Sequence, residues 1–277
     1  MSYSFLISVY EKEQSSYLEF SIESMLNQTL KPDEIILVCD GKLTPELDGV
    51  IEKFSKKNEC IKVVRIQKNG GLGNALNEGL KHCTNEFVLR MDSDDYSIPT
   101  RAEIEVKELE NNDIVGSNIV EFEENIENII GARNVPLTQK KIVKFAKKRS
   151  PFNHPSVAFR KSFVEECGGY QHLLFVEDYY LWIRMIQKGA RCENIKDSLV
   201  YMRSGKEMRK RRGGRAFNRS LKKLRKYMLK TKFINIFQYS IYTLEGWMIS
   251  HMPIRLKEKI YRSFLRTAPK EKKEIIK

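Results

Sequence analysis

The chain contains no Cys-x-x-Cys pair, no internal repeat and no low-complexity linker. Its five cysteines, Cys39, Cys60, Cys83, Cys167 and Cys192, are odd in number and widely spaced, which argues against a zinc or redox motif and fits reduced thiols in a cytosol. The N-terminus has no basic region, and its apolar stretch, Phe5 to Val9, is too short for a signal peptide; it reads as a first strand. Nothing in the sequence directs export. Acidic residues are scarce near the C-terminus: residues 203–277 hold 23 of the 49 Lys and Arg but 5 of the 36 acids, a balance of +18 that leaves −5 for the rest. The net charge of +13 is therefore a property of one segment, and it does not describe a uniformly basic protein.

What is present is ordinary globular composition, 41% hydrophobic and 31% charged over 277 residues, enough for one large core or two modest ones. The first hundred residues alternate between strand and helix periodicity. Strands are predicted at Phe5–Val9, Glu34–Cys39, Ile61–Ile66 and Phe87–Met91. Between them, Ser16-x-x-Glu19 reads as a capping box opening one helix, Pro45 as the first position of a second, and residues 73–83 as a third. Such alternation implies an α/β fold with a mostly parallel twisted sheet and helices on both faces. From residue 113 the pattern loosens: a short strand at Asp113–Gly116, an irregular or edge hairpin over Ile119–Ile130, a helix near 138–147, a strand at His154–Phe159, a helix to Gln187 and a last short strand at Leu199–Met202.

Ligands of parallel sheets bind beyond the carboxyl ends of the strands. The first strand delivers Tyr10 and Glu11 there, the second Asp40, and the fourth Asp92, Asp94 and Asp95. Carboxylates gathered at one strand end repel one another unless a cation sits among them, and hard divalent ions take one or two protein carboxylates plus water and substrate phosphates. A nucleotide diphosphate is the guest such a site suits. An acidic turn that merely caps the next helix is the alternative.

Several motifs occur in order: Ile7-Ser8-Val9-Tyr10, Ser24-Met25-Leu26-Asn27-Gln28-Thr29, Pro32-Asp33-Glu34-Ile35, Asp40-Gly41, Asn69-Gly70-Gly71-Leu72, Asp92-Ser93-Asp94-Asp95, His154-Pro155-Ser156-Val157, and Glu177-Asp178 leading into Leu181-Trp182-Ile183-Arg184. On these the chain resembles the family 2 inverting glycosyltransferases of the GT-A (Rossmann-like) fold, over roughly residues 4–212, most closely those that build bacterial capsule, O-antigen or exopolysaccharide. It departs from the family's usual pattern at Cys39, commonly an acid, and at Lys42, commonly a small hydroxyl residue.

The resemblance implies a metal-dependent hexosyl- or N-acetylhexosaminyltransferase moving sugar from a UDP-sugar to a glycan, with Mn²⁺ or Mg²⁺ as cofactor. Ser8 and Tyr10 would then flank uracil, Asp40 accept its imide N–H, and Asp92 serve the ribose and diphosphate. Glu11 and Asn69 would border the donor, Arg90 would face the phosphates or buffer the carboxylates, Asp94 would take the metal and Asp95 support it or cap the next helix; a plain helix-entry turn is the alternative for Asn69-Gly70-Gly71. Asp178 would be the base that deprotonates the acceptor hydroxyl, with Glu177, His154 and Trp182 toward the acceptor; acids that cap a helix are the alternative for the pair. His154 could equally be a structural histidine, and Trp182 core. Arg203 and the run from Lys206 to Arg212 could close over the diphosphate.

The expected division is a catalytic domain over 1–212, its nucleotide half 1–112 and acceptor half 113–212, and a basic helical extension over 213–277. In that extension Phe233, Phe237, Ile241, Leu244, Met248 and Met252 share one helical stripe, flanked by Lys222, Lys223, Arg225, Lys226 and Lys230 and by Arg255, Lys257, Lys259, Arg262 and Arg266. This suits an amphipathic helix on the anionic inner leaflet, hence peripheral attachment to the cytoplasmic face of the membrane and a lipid-linked acceptor. A helical extension packed on the catalytic domain with solvated Lys is the alternative. Nucleic acid is not an expected partner, although an RNA-binding module using the tail, and a sugar-phosphate nucleotidyltransferase, are the competing classes; the second would want a Gly-rich basic loop that residues 7–13 lack.

Overall fold

A computed structural model describes residues 1–205 and 215–251. The run from Lys206 to Arg212, the expected boundary at 212/213 and everything from Met252 onward lie outside the described residues.

Strands β1 (Tyr3–Val9), β2 (Glu34–Asp40), β3 (Ile61–Ile66) and β4 (Phe87–Asp92) form a parallel sheet in the order β3-β2-β1-β4, connected through helices α1 (Ser15–Leu26), α2 (Pro45–Lys57) and α3 (Leu72–His82). β1 lies between its two sequence-distant neighbours because its alternate residues are apolar on both sides: Phe5, Ile7 and Val9 face a core with α1, α2 and α4 (Arg101–Leu109), while Leu6 faces another with α3. Burial on both faces is what a parallel sheet requires. α2 begins as its sequence dictates, Pro45 following Thr44, whose hydroxyl accepts from Leu47 N. α1 does not: it starts at Ser15 after an uncapped Gln14, and Glu19 reaches Lys53 Nζ on α2 at 2.5 Å, so the expected capping box is absent.

Beyond β4 the sheet turns mixed. β8 (Ala158–Arg160) is antiparallel to both β4 and β6 (Ile114–Glu123); β6 pairs in parallel with β9 (Cys192–Arg203), which pairs with the short β5 (Tyr96–Ser97). β7 (Asn125–Arg133) folds back on β6 across a turn at Glu124, with register shifts that explain the irregular periodicity there. The predicted strand at 154–159 is half strand: Pro155 imposes a short 3₁₀ turn over His154–Ser156, and only then does β8 begin. The short strands expected at 113–116 and 199–202 are the ends of ten- and twelve-residue strands; the buried polar Ser117, Asn118 and Glu121 of the first and the exposed Glu193, Lys196 and Asp197 of the second interrupt their apolar runs.

Helices α5 (Gln139–Ala146), α6 (Lys161–Glu166) and α7 (Glu177–Gln187) cover the α3 face. The C-terminal helices α8 (Arg215–Lys230) and α9 (Ile236–His251) follow, and Leu224, Met228 and Ile234 belong to the same core cluster as Leu181 and Trp182 of α7. The described part of the C-terminal segment is thus packed into the catalytic body. No helix among the described residues is long and apolar enough to cross a membrane.

α3 lies close to the sheet because residue 79 is glycine: a Cβ there would stand 2.4 Å from Leu6 Cδ1 and 2.7 Å from Val38 Cγ2. Gly79→Val is expected to destabilise the fold by about 2–3 kcal/mol through overpacking, read as a lowered denaturant midpoint.

Candidate active site

The C-terminal edge of the parallel strands carries the site. Ser8 is in register with Asp92 across β1 and β4 and with Val38 across β1 and β2; Tyr10 and the exposed Glu11 follow in the turn after β1. Glu13 in that turn, which the sequence did not single out, is the acid that points back: its Oε2 accepts from Ser93 Oγ at 2.5 Å. Burial first, then the charges of Asp92 and Glu13, push the Asp94 carboxyl up to about 7, against which Arg203 pulls it down. Asp95 is fully buried and raised well above the usual carboxylate range by burial and by Asp94, with one oxygen bonded to Arg203 N at 2.8 Å and Oδ2 without a partner among the described residues.

Two arginines hold this crowd of acids. Arg90 is 1% exposed and its guanidinium lies against Asp92 Oδ1, a place from which it buffers carboxylate charge. Arg203, at the end of β9, donates from Nε to Asp94 O at 3.1 Å and from Nη1 to Glu124 O, while its guanidinium is sandwiched between the rings of Tyr17 at 3.7 Å and Phe122 at 4.6 Å. Its backbone N–H and Nε anchor the Asp94–Asp95 loop, and Nη1 ties that loop to the turn at Glu124.

The second strand end is equally committed. Both oxygens of the buried Asp40 accept backbone N–H groups, from Gly70 at 2.8 Å and Gly71 at 3.0 Å, and Asn69 Nδ2 donates to Asp40 O at 3.1 Å. Gly71 sits at φ 85°, a conformation glycine alone adopts freely, so the loop's shape is set by that position and by Asp40 together. The two N–H groups that a phosphate would want are here taken by a carboxylate.

Asp178 is the second residue of α7, partly buried, following a turn in which Phe175 has φ 69°, a strained value for an aromatic residue. Glu177 beside it is raised above the usual carboxylate range chiefly by burial, with Asp178 adding to it, and its Oε2 is buried without a partner among the described residues. The first turn of α3 meets this pair: a Cβ on Gly73 would stand 3.3 Å from Tyr170 Cβ and 3.8 Å from Glu177 Cβ. Tyr170 is the residue that joins the halves. Its hydroxyl, pushed up by burial, feels Arg90 and Asp92 from β4 and Asp178 and Glu177 from α7, and it contacts His154 Nε2 at 3.1 Å.

Trp182 is fully buried, edge-on to Phe152 at 5.7 Å and beside His154 and Tyr170, so it supports those residues from beneath and presents no face to a sugar. Helical position predicts this as readily as a platform. Among the described residues no three His, Cys, Asp or Glu side chains gather closely enough to hold a metal by themselves. The strand ends and the start of α7 are nevertheless brought to one place, with acids from both sides acting on one phenol.

The family model described as Glycosyl transferase family 2 matches residues 4–168. An uncharacterized glycosyltransferase of Haemophilus influenzae is 42% identical over 96% of this chain and 100% of its own length. The amylovoran biosynthesis glycosyltransferase AmsE of Erwinia amylovora is 36% identical (94% and 97% covered), and the UDP-Gal:alpha-D-GlcNAc-diphosphoundecaprenol beta-1,3-galactosyltransferase of Escherichia coli 35% identical (95% and 96%). Among solved structures, residues 1–349 of S. aureus TarS in complex with UDP-GlcNAc superimpose with a TM-score of 0.62 at 19% identity, covering 96% of this chain and 74% of that one, which carries the GT-A fold. With the motifs in order and the strand ends assembled as the fold demands, the chain belongs to glycosyl transferase family 2 and is a glycosyltransferase.

Proposed function

We propose that this enzyme transfers a sugar, with inversion, from a UDP-sugar to a lipid-linked glycan at the cytoplasmic face of the membrane, in the synthesis of a bacterial surface polysaccharide. The observation that carries the reading is the position of Tyr170, which lies against the first turn of α3 beside Glu177, contacts His154 Nε2 through its hydroxyl at 3.1 Å, and is within electrostatic reach of Arg90 and Asp92 at the end of β4. The relatives supply the substrate class: one is named for UDP-Gal and a GlcNAc-diphosphoundecaprenol, another for amylovoran, and TarS has been solved with UDP and with UDP-GlcNAc.

In this reading residues 1–112 hold the donor and 113–212 the acceptor. Ser8, Tyr10 and Asp92 line the nucleotide, with Glu11, Asp40 and Asn69 shaping its border and Arg90 setting the charge beneath Asp92. Asp94 suits a divalent cation because of its surroundings: a carboxyl pushed up to about 7 by burial, Asp92 and Glu13 regains its charge when a cation arrives. Mn²⁺ or Mg²⁺ would be held by Asp94 and, with too few protein ligands to close its shell, by the diphosphate and water; it would neutralise charge on the leaving group. Asp178 takes the proton from the acceptor hydroxyl as that oxygen attacks the anomeric carbon and the bond to UDP breaks. Glu177 beside it is raised above the usual carboxylate range by burial and by Asp178, and lies toward the acceptor. His154, held by Tyr170, lies on the acceptor side.

Asp178→Asn is expected to lower kcat by at least about a thousandfold while the Kd for UDP stays within about twofold; wild-type turnover would remove Asp178 from the mechanism. Transfer from a panel of nucleotide sugars with Mn²⁺ identifies the donor. For Asp94 the sign follows from a folded-state pKa raised above the ordinary value: ionising it costs stability as pH rises from about 4 to 7, and the cost persists above. Without metal at about pH 8, Asp94→Asn should therefore melt about 5 °C above the wild type. With Mn²⁺ and UDP the order should reverse, and a wild type that gains nothing from the cation would sink the metal assignment.

A further inference from the structure

The apolar stripe of α9 faces outward. Phe237, Ile241, Leu244 and Met248, spaced to lie on one side of the helix, are 76%, 54%, 56% and 47% exposed. A helix that serves only to cover a core turns such a stripe inward. Here the body is met by other residues of α9: Tyr239 packs on the core cluster, Tyr242 lies under Lys148 Nζ at 5.8 Å, Glu245 pairs with that same Nζ at 2.9 Å, and Gly246 gives room to Arg225. The extension as a whole is packed on the body with its lysines solvated, through Leu224, Met228, Ile234, Phe233 and Tyr239, but the stripe from Phe237 to Met248 takes no part in that packing.

The neighbouring helix supplies charge. Leu224 and Met228 turn α8 inward, and Arg219, Lys222, Lys223, Lys226 and Lys230 recur along its exposed side, none in an ion pair among the described residues. The sequence continues with Arg255, Lys257, Lys259, Arg262 and Arg266. A second copy seated on the stripe would bring two such basic segments together, each at +18 over residues 203–277. An apolar stripe among unpaired cations instead matches a surface that is apolar inside and anionic outside.

We propose that the outward face of α9 is a docking surface for an anionic phospholipid bilayer, its stripe lying among the acyl chains and the cations of α8 attracted to the headgroups. The proposal deepens the reading above, taking from it that the acceptor is borne by a membrane. α8 rests on α7, Tyr227 stacking edge-on to Tyr180 at 4.8 Å, two residues from Asp178. α9, packed on α8, is thus linked to the start of α7 through a single intervening helix.

The test is sedimentation of the full chain with vesicles of phosphatidylglycerol or of phosphatidylcholine, which needs no substrate and so stands or falls apart from the transfer reaction. The wild type should favour the anionic vesicles by about tenfold or more. The triple variant Phe237→Ser, Ile241→Ser, Leu244→Ser, whose side chains touch solvent, should keep its melting temperature and UDP affinity and bind about a hundredfold more weakly. Lys222→Glu with Lys223→Glu and Lys226→Glu should abolish the lipid preference. Retained binding by the serine variant overturns the proposal, as does a wild-type dimer that this variant dissociates. Binding to generic RNA without binding to vesicles overturns it as well.

Discussion

The structure turns on like charge held in a small space. Glu13, Asp92, Asp94 and Asp95 meet at the ends of β1 and β4, and their repulsion is contained by Arg90 behind and Arg203 in front. A buried acid cluster left to itself would either protonate or disrupt the strand end. The two arginines compensate part of it, and the part left over, at Asp94, is an unmet demand for positive charge aimed at the donor's side. In the proposed reaction a cation and the departing diphosphate would complete a charge balance that the protein leaves open.

The acceptor side is built by other means. Phe152, His154, Tyr170 and Trp182 form an aromatic cluster under the start of α7, and Tyr179 is locked by its hydroxyl to Ala146 O at 2.6 Å. Rings with few rotatable bonds hold Glu177 and Asp178 at a set height over the sheet. Precision comes from packing here and from electrostatics at the strand ends, and Tyr170, which takes part in both, couples the two.

The sequence showed the parallel half almost residue by residue, because strands buried on both faces and amphipathic helices have unmistakable periods, and it showed the acids because they stand at strand ends. It did not show Glu13, which lies in a turn without periodicity, nor Tyr170, whose importance depends on Arg90 and Asp92, far from it in the chain, meeting Glu177 and Asp178. Arg203 is legible as a cation near the site but not as an anchor, since its partners are Asp94 and Asp95, more than a hundred positions away, and the rings of Tyr17 and Phe122. Trp182 has an outward role by motif that burial denies it. β9 looks short in the sequence because alternation with polar residues reads as loop. Local pattern carries secondary structure, whereas the contacts that tune a site are long-range.

β8 is stitched on one side to β4, which ends in the acids, and on the other to β6, which belongs to the acceptor half. The parallel strands and the strands beyond them are consequently parts of one sheet joined by backbone hydrogen bonds. A clamshell swing of one side against the other would have to break that pairing, so the frame favours gating by loops at its rim.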